Sequence, residues 1–214
     1  LNIEKQKNTQ RKSRKDVFKV AIAGYTNAGK SSLLKAASGY NAYIKDQLFA
    51  TLDTTTKKVK LKDGTNILLS DTVGFLRKLP HDLIASFMST LGEIKNADLI
   101  IKLVDINSSD LSGHILTVDQ TLKLLDCEHN DSIIVFNKID KIKDKNIYNY
   151  LTDKYKDCVF ISSLKNLKIN ILLDKISKYA NKDTKQYNIK IPYSKSHLIN
   201  KIYSDAIVVY RKDE

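Results

Sequence analysis

Lys30 and Ser31 close the string Gly24-Tyr25-Thr26-Asn27-Ala28-Gly29-Lys30-Ser31, which has the spacing G-x-x-x-x-G-K-S. The types and intervals suit phosphate chemistry. Gly24 and Gly29 let the backbone turn so that successive N–H groups face phosphate oxygens. Lys30 reaches the β and γ oxygens, and the Ser31 hydroxyl can ligate Mg²⁺. All eight residues, with Ser32 behind them, are expected to line a nucleotide. A second string, Asn137-Lys138-Ile139-Asp140, ends the apolar run Ile133-Ile134-Val135-Phe136. An ionised Asp140 accepts from the N1–H and the exocyclic amine of guanine, a donor pair that adenine lacks, so adenine would leave a polar group unpaired. The Lys138 stem can lie along the base, and Asn137 can tie this loop to the phosphate loop. Ser162-Ser163-Leu164, after Cys158–Ile161, would bring backbone N–H groups to the guanine 6-oxygen.

Asp71-Thr72-Val73-Gly74 follows the apolar run Asn66–Ser70. Asp71 would hold the Mg²⁺ shell through a water, and the Gly74 N–H would bond a γ-phosphate, so that the segment behind it orders with GTP and relaxes with GDP. Upstream, Phe49-Ala50-Thr51-Leu52-Asp53-Thr54-Thr55-Thr56 offers four threonines to close over Mg²⁺, and position alone does not choose among them. Phe75 stands where Ras-type enzymes place the Gln that orients the attacking water. A phenyl ring cannot orient water, so turnover is either slow or uses water placed in another way. Asn27 reads in two ways: as a residue tolerant of left-handed backbone, or as one that helps hold a K⁺ ion beside the phosphates.

The elements that position these residues follow from hydrophobic pattern. Strands are expected at 17–23, 57–62, 65–70, 98–105, 132–137 and 158–162. Helices are expected at 30–38, within 71–96, and at 112–126, 146–155 and 167–180. Lys62-Asp63-Gly64-Thr65 reads as a hairpin turn. Alternating strands and helices give an α/β, three-layer fold: a mostly parallel six-stranded sheet with one antiparallel edge strand and the nucleotide loops at strand carboxyl ends. Residues 1–16 read as a basic linker or helical arm, 17–183 as the nucleotide-binding domain, and 187–214 as the start of a small further domain. There, Ile189–Pro192 and Ala206–Tyr210 are expected to be strands flanking a helix near 195–203, a short βαβ-like segment.

On these strings the chain resembles the HflX family of translational GTPases, in the Obg–HflX group. The resemblance rests on Gly24–Ser31, on D-x-L-F-A-T-L-D at Asp46–Asp53, on D-T-V-G-F at Asp71–Phe75, and on Leu79–Phe87 with Ser89–Leu91. It covers most of residues 17–180. It implies a Mg²⁺-dependent GTPase with Lys30, Thr51, Gly74 and Asn27 at the chemistry. Phe49–Asp53 would be part of the nucleotide site, and Ser31, Thr51 and Asp71 would be the metal residues, which favours Thr51 over Thr54, Thr55 and Thr56. It further implies association with the ribosome, mainly the large subunit and its rRNA, in splitting or rescue. The family pattern D-P-T-T-R is D-T-T-T-K here (Asp53–Lys57), and S-A-K is S-S-L (Ser162–Leu164). Starting at Leu1, the chain is expected to hold the GTPase domain without the family's N-terminal domain.

Composition bounds the rest. The 214 residues carry a formal charge of +12, which suits an anionic partner, although Lys, Asn and Ile are abundant throughout. Arg11-Lys12-Ser13-Arg14-Lys15 is either an RNA contact or a solvated linker. Cys127 and Cys158 show no pairing pattern and point to a reducing, cytoplasmic setting. No run is long enough to span a membrane, and a monomer is expected. The four histidines lack metal-ligand spacing. His81, at the start of the helix within 71–96, is either a helix-start residue or a sensor of phosphate or partner. Two further readings compete: a GTP/GDP-sensing adaptor with negligible turnover, marked by Phe75, and an ATP-driven RNA remodeller, which Asp140 disfavours.

Overall fold

In a computed structural model of the chain, the described residues are 17–39, 55–72, 74, 92–142, 144, 146–185, 187–206, 208 and 210–213. Strand β1 (Phe18–Gly24) leads through the glycine loop into α1 (Lys30–Ser38). Strands β2 (Thr55–Lys60) and β3 (Asn66–Asp71) form a hairpin, and residues 92–95 are helical. Then come β4 (Leu99–Asp105), α2 (Leu111–Leu124), β5 (Asp131–Asn137), a 3-10 turn Ile139–Lys141, α3 (Asn146–Lys154), β6 (Val159–Phe160), α4 (Ile169–Ala180) and α5 (Leu198–Asp205).

The six strands make one sheet in the order β2-β3-β1-β4-β5-β6. Only the β2–β3 pair is antiparallel; every other neighbouring pair is parallel. Both faces are covered, as parallel sheets require. Alternate residues of β1 show this. Val20 and Ile22 join Leu33 and Leu34 of α1 and Leu172 and Ile176 of α4 on one face. Ala21 and Ala23 join Ile94, Val118 and Leu122 on the other. Farther along that second face, Val104 and Phe136 pack with Ile115 and Leu151.

Parallel pairing brings the carboxyl ends of β1, β3, β4 and β5 to one edge, at Gly24, Asp71, Asp105 and Asn137. Ile22 lies opposite Asp71 and Asp105 opposite Asn137. The connection from β1 runs through α1 on one face toward β3. The return toward β4 passes residues 92–95 on the opposite face. Ligands bind in such sheets where the connections part in this way.

Three expectations need correction. Strand β2 spans Thr55–Lys60 rather than 57–62, because an edge strand is defined by its ladder, and Thr55 still pairs with Asp71. Strand β6 is only Val159–Phe160, since Ser162 is taken by an isolated bridge to Leu167. The C-terminal segment is not βαβ-like: its described residues form a 3-10 turn at Tyr193–Lys195 and helix α5. Pro192 and Ala206 have extended backbone, but among the described residues neither segment finds a strand to pair with, and extension without a ladder is not a strand. Residues 1–16, most of 40–54 and most of the helix expected within 71–96, with His81, lie outside the described residues.

Candidate nucleotide and metal site

The glycine loop takes its shape from two residues with left-handed backbone. Asn27 has φ 60° and Gly29 φ 96°. A Cβ on Gly29 would sit 2.4 Å from Asn137 Nδ2, and one on Gly24 would sit 2.5 Å from the Leu103 carbonyl oxygen. Both positions therefore exclude any side chain. Helix α1 begins directly after Gly29, so its free N–H groups and partial positive charge face the loop. It ends at Gly39, also left-handed, whose N–H bonds the Lys35 carbonyl at 3.0 Å. Asn27 is exposed. Tyr25 is half-buried and stacks on His114 of α2, with ring centroids 3.9 Å apart and planes at 12°.

Lys30 is buried, and its Nζ donates to the Gly24 and Tyr25 carbonyls at 3.3 Å each. Burial pushes its pKa from 10.5 down to about 8, with nearby Asp71 pulling the other way. A Cβ on Gly74 would lie 2.9 Å from Thr26 Cγ2 and 3.1 Å from Lys30 Nζ. Gly74 therefore reaches the head of Lys30 because it has no side chain. Ser31 Oγ donates to Asp71 Oδ2 at 2.6 Å. These are hard oxygen donors from α1 and from the end of β3, and that chemistry suits Mg²⁺, which keeps several waters and takes one or two protein ligands.

Thr72 differs from expectation. It is fully buried, and its hydroxyl donates to the Ile22 carbonyl at 2.7 Å. Its side chain locks β3 to β1, which leaves only its backbone to face a ligand. Thr55 and Thr56 are taken into β2, where Thr56 Oγ1 lies 2.7 Å from Ser70 Oγ. Phe49, Ala50, Thr51, Leu52, Asp53, Val73 and Phe75 lie outside the described residues.

The base-side loop is joined to the phosphate loop by one amide. Asn137 is buried; its Nδ2 donates to the Ala28 carbonyl at 2.8 Å, across 109 residues of sequence. Its Oδ1 accepts from the backbone N–H of Ser163 at 2.9 Å and from the Ser163 hydroxyl at 3.0 Å. Asp140 is exposed, with Oδ1 accepting from Ser162 Oγ at 2.5 Å. Lys138 has left-handed backbone, φ 66°, and its Nζ pairs with Asp105 Oδ2 at 2.8 Å.

The Ser162–Leu164 expectation also changes. The Ser163 N–H is spent on Asn137, and the Ser162 N–H is spent on the Leu167 carbonyl at 3.1 Å. Both serines act on the site through Asn137 and Asp140, and of the triplet only the Leu164 N–H is left for a guanine oxygen. Asp105, Asn107 and His114 escaped the sequence reading. Asp105 had a legible signal, an acid at the carboxyl end of a buried strand, the same placement as Asp71. Asn107 donates to the Lys138 carbonyl at 3.0 Å and to Asp105, and its string shows no such signal.

The family model described as "50S ribosome-binding GTPase" matches residues 19–138, from β1 through Lys138, more than half of the chain. The chain belongs to this family. Within it, the sequence is of the HflX type. It is 40% identical over 200 residues to the GTPase HflX of Caldanaerobacter subterraneus subsp. tengcongensis, covering 92% of this chain and 45% of that protein. To the GTPase HflX of Escherichia coli it is 33% identical over 204 residues, covering 94% and 48%. The chain thus spans about half the length of the curated relatives it matches. Among solved structures, a GTP-binding protein from Sulfolobus solfataricus in complex with GDP superposes with a TM-score of 0.58 at 27% identity, covering 78% of this chain and 53% of that one. Era, in complex with MgGDPNP and a segment of 16S ribosomal RNA, superposes with a TM-score of 0.64 at 23% identity, covering 84% and 60%; that likeness is one of fold.

Proposed function

We propose that this GTPase-family chain binds GTP and GDP with Mg²⁺, hydrolyses GTP to GDP and phosphate, and couples that cycle to association with the ribosome, through the large subunit and its rRNA, in ribosome splitting or rescue. The observation that carries the reading is the Asn137–Ala28 bond, which sets the candidate guanine loop at a fixed distance from the phosphate loop. Residues 17–183 form the nucleotide domain in this reading, 1–16 a basic arm, and 187–214 the start of a further unit. The site works in the cytoplasm, in a monomer. Among the described residues, no helix is long and apolar enough to cross a membrane.

The roles follow from placement. The backbone N–H groups of Gly24–Ser32 cradle the phosphates, and Lys30 leaves its two carbonyl partners for the β and γ oxygens. Ser31, Thr51 and Asp71 would hold Mg²⁺, which supplies positive charge between the β- and γ-phosphates. The Gly74 N–H bonds the γ-phosphate, and Phe49–Asp53 with Val73 close over it. Asp140, oriented by Ser162, accepts from guanine while Lys138, pinned by Asp105, flanks the base. Phe75 cannot orient water, so attack depends on backbone groups, on a K⁺ ion held with the help of Asn27, or on the ribosome.

Two measurements test this. Asp140→Asn should cost GTP about 2–4 kcal/mol of binding, from the loss of charge-assisted bonds, with a relative gain for xanthine nucleotides; unchanged GTP titration would remove the guanine assignment. Single-turnover hydrolysis should be slow in the isolated chain, faster with large ribosomal subunits, and faster in K⁺ than in Na⁺, with the K⁺ effect gone in Asn27→Ala. Phe75 favours a second reading, a nucleotide-sensing adaptor with negligible turnover. Tight binding without hydrolysis in every arm would establish it.

A further inference from the structure

We infer that Ser163 is a positioning residue for the nucleotide site: its hydroxyl fixes the Asn137 amide that clamps the phosphate loop, and so slows nucleotide release. The inference rests on the guanine-nucleotide reading above. It begins with the amide's orientation. The Ser163 backbone N–H can only donate and the Ala28 carbonyl can only accept, so Oδ1 of Asn137 faces Ser163 and Nδ2 faces Ala28. The Ser163 hydroxyl then adds a second donor to the same Oδ1 at 3.0 Å. Both residues are buried, 1% and 5% exposed, so water does not replace a broken bond cheaply.

The seat is as specific as the bonds. Nδ2 lies 2.4 Å from where a Cβ on Gly29 would be, so the amide occupies the notch that this glycine leaves open. Three hydrogen bonds from one side chain thereby join the loop after β1, the end of β5 and the loop after β6. In the proposed complex the phosphates rest on the first of these and the base on the other two. A bound nucleotide leaves when the loops part, and parting them breaks the Asn137 clamp. The hydroxyl of Ser163 is the part of that clamp that a side-chain substitution removes while leaving the backbone bond in place.

The test is dissociation of a fluorescent GDP from the 214-residue chain, by stopped flow with excess unlabelled GDP as chase. Ser163→Ala should speed release about fivefold, the factor supplied by one neutral buried hydrogen bond. Ser163→Thr, which keeps the hydroxyl, should restore release to within about twofold of the parent chain. A Ser163→Ala rate equal to the parent's overturns the inference. So does a Thr variant as fast as the Ala variant, which would make side-chain volume the cause. If Ser163→Ala fails to fold, the inference stands or falls on Ser163→Thr and Ser163→Cys, where slow release with Thr and fast release with the weak thiol donor supports it and equal rates overturn it. A parent chain that binds no fluorescent GDP overturns the nucleotide reading itself, and is thereby told apart from a failure of the hydroxyl's role alone.

Discussion

Lys30 ties the site to pH. Its buried ammonium rests on two carbonyls, and burial brings its pKa from 10.5 to about 8. Between about pH 8 and 10.5 the unfolded chain holds more protons than the folded one, so stability of the ligand-free protein should rise with pH across that window. Binding runs the other way. A phosphate against Nζ favours the ammonium, so above about pH 8 nucleotide uptake draws in a proton and affinity falls as pH rises. Calorimetry in two buffers of different ionisation heat should give an uptake of about three-quarters of a proton at pH 8.5 and about a tenth at pH 7, from the same linkage. Equal heats in both buffers at both pH values would show that Lys30 is already charged in the ligand-free state. Residue types were legible in the sequence at this scale, but side-chain commitments were not. Thr72 lies within a motif yet spends its hydroxyl on Ile22, and nothing local in D-T-V-G announces that.

Among the elements, β1, the glycine loop and α1 were legible together, because a buried run, two glycines and a helix start each constrain the next. The loop's geometry separates the roles of two glycines with similar backbone. Gly29 has φ 96° and no space for a Cβ; Gly39 has φ 67° and nothing within 4 Å of one. Gly39→Ala should therefore cost only the left-handed strain, about 1–2 kcal/mol of stability, and leave GDP binding intact. Gly29→Ala carries the same strain and also displaces the Asn137 amide from its notch, so GDP affinity should fall at least about thirtyfold, from a broken buried hydrogen bond. Thermal unfolding with and without GDP, run on both variants, checks this. Equal GDP-induced stabilisation in the two would rule out the clamp. Segments whose structure depends on a distant partner were less legible. Ile189–Pro192 has strand-like residues, but a strand is a property of a pair, and no partner meets it among the described residues. Thr55 belongs to β2 because Asp71 lies opposite it, a relation invisible in the local string.

For the whole molecule, the net charge of +12 bears on the partner rather than on the fold. A third of it sits in a small part of the chain: residues 1–16 hold six Lys and Arg against one Glu and one Asp, a net of +4. The hydrogen bonds that build the nucleotide site run between residues 22 and 167, so the basic arm and the site are separable in sequence. Removing residues 1–16 should leave GDP affinity within about twofold of the parent chain, since no residue proposed to touch the nucleotide falls in that segment. Binding to large ribosomal subunits should weaken, and its dependence on salt should flatten. Each lysine or arginine that meets a phosphate releases counterions, and the slope of log affinity against log salt falls by about 0.7 to 0.9 for each such ion pair removed. If all six basic residues meet RNA phosphates, the slope should drop by about 4 to 5 between the parent chain and the truncated one. Sedimentation with subunits across a salt series reads this directly. An unchanged slope would mean that the arm is a solvated linker and that the remaining charge of the molecule carries whatever attraction RNA exerts.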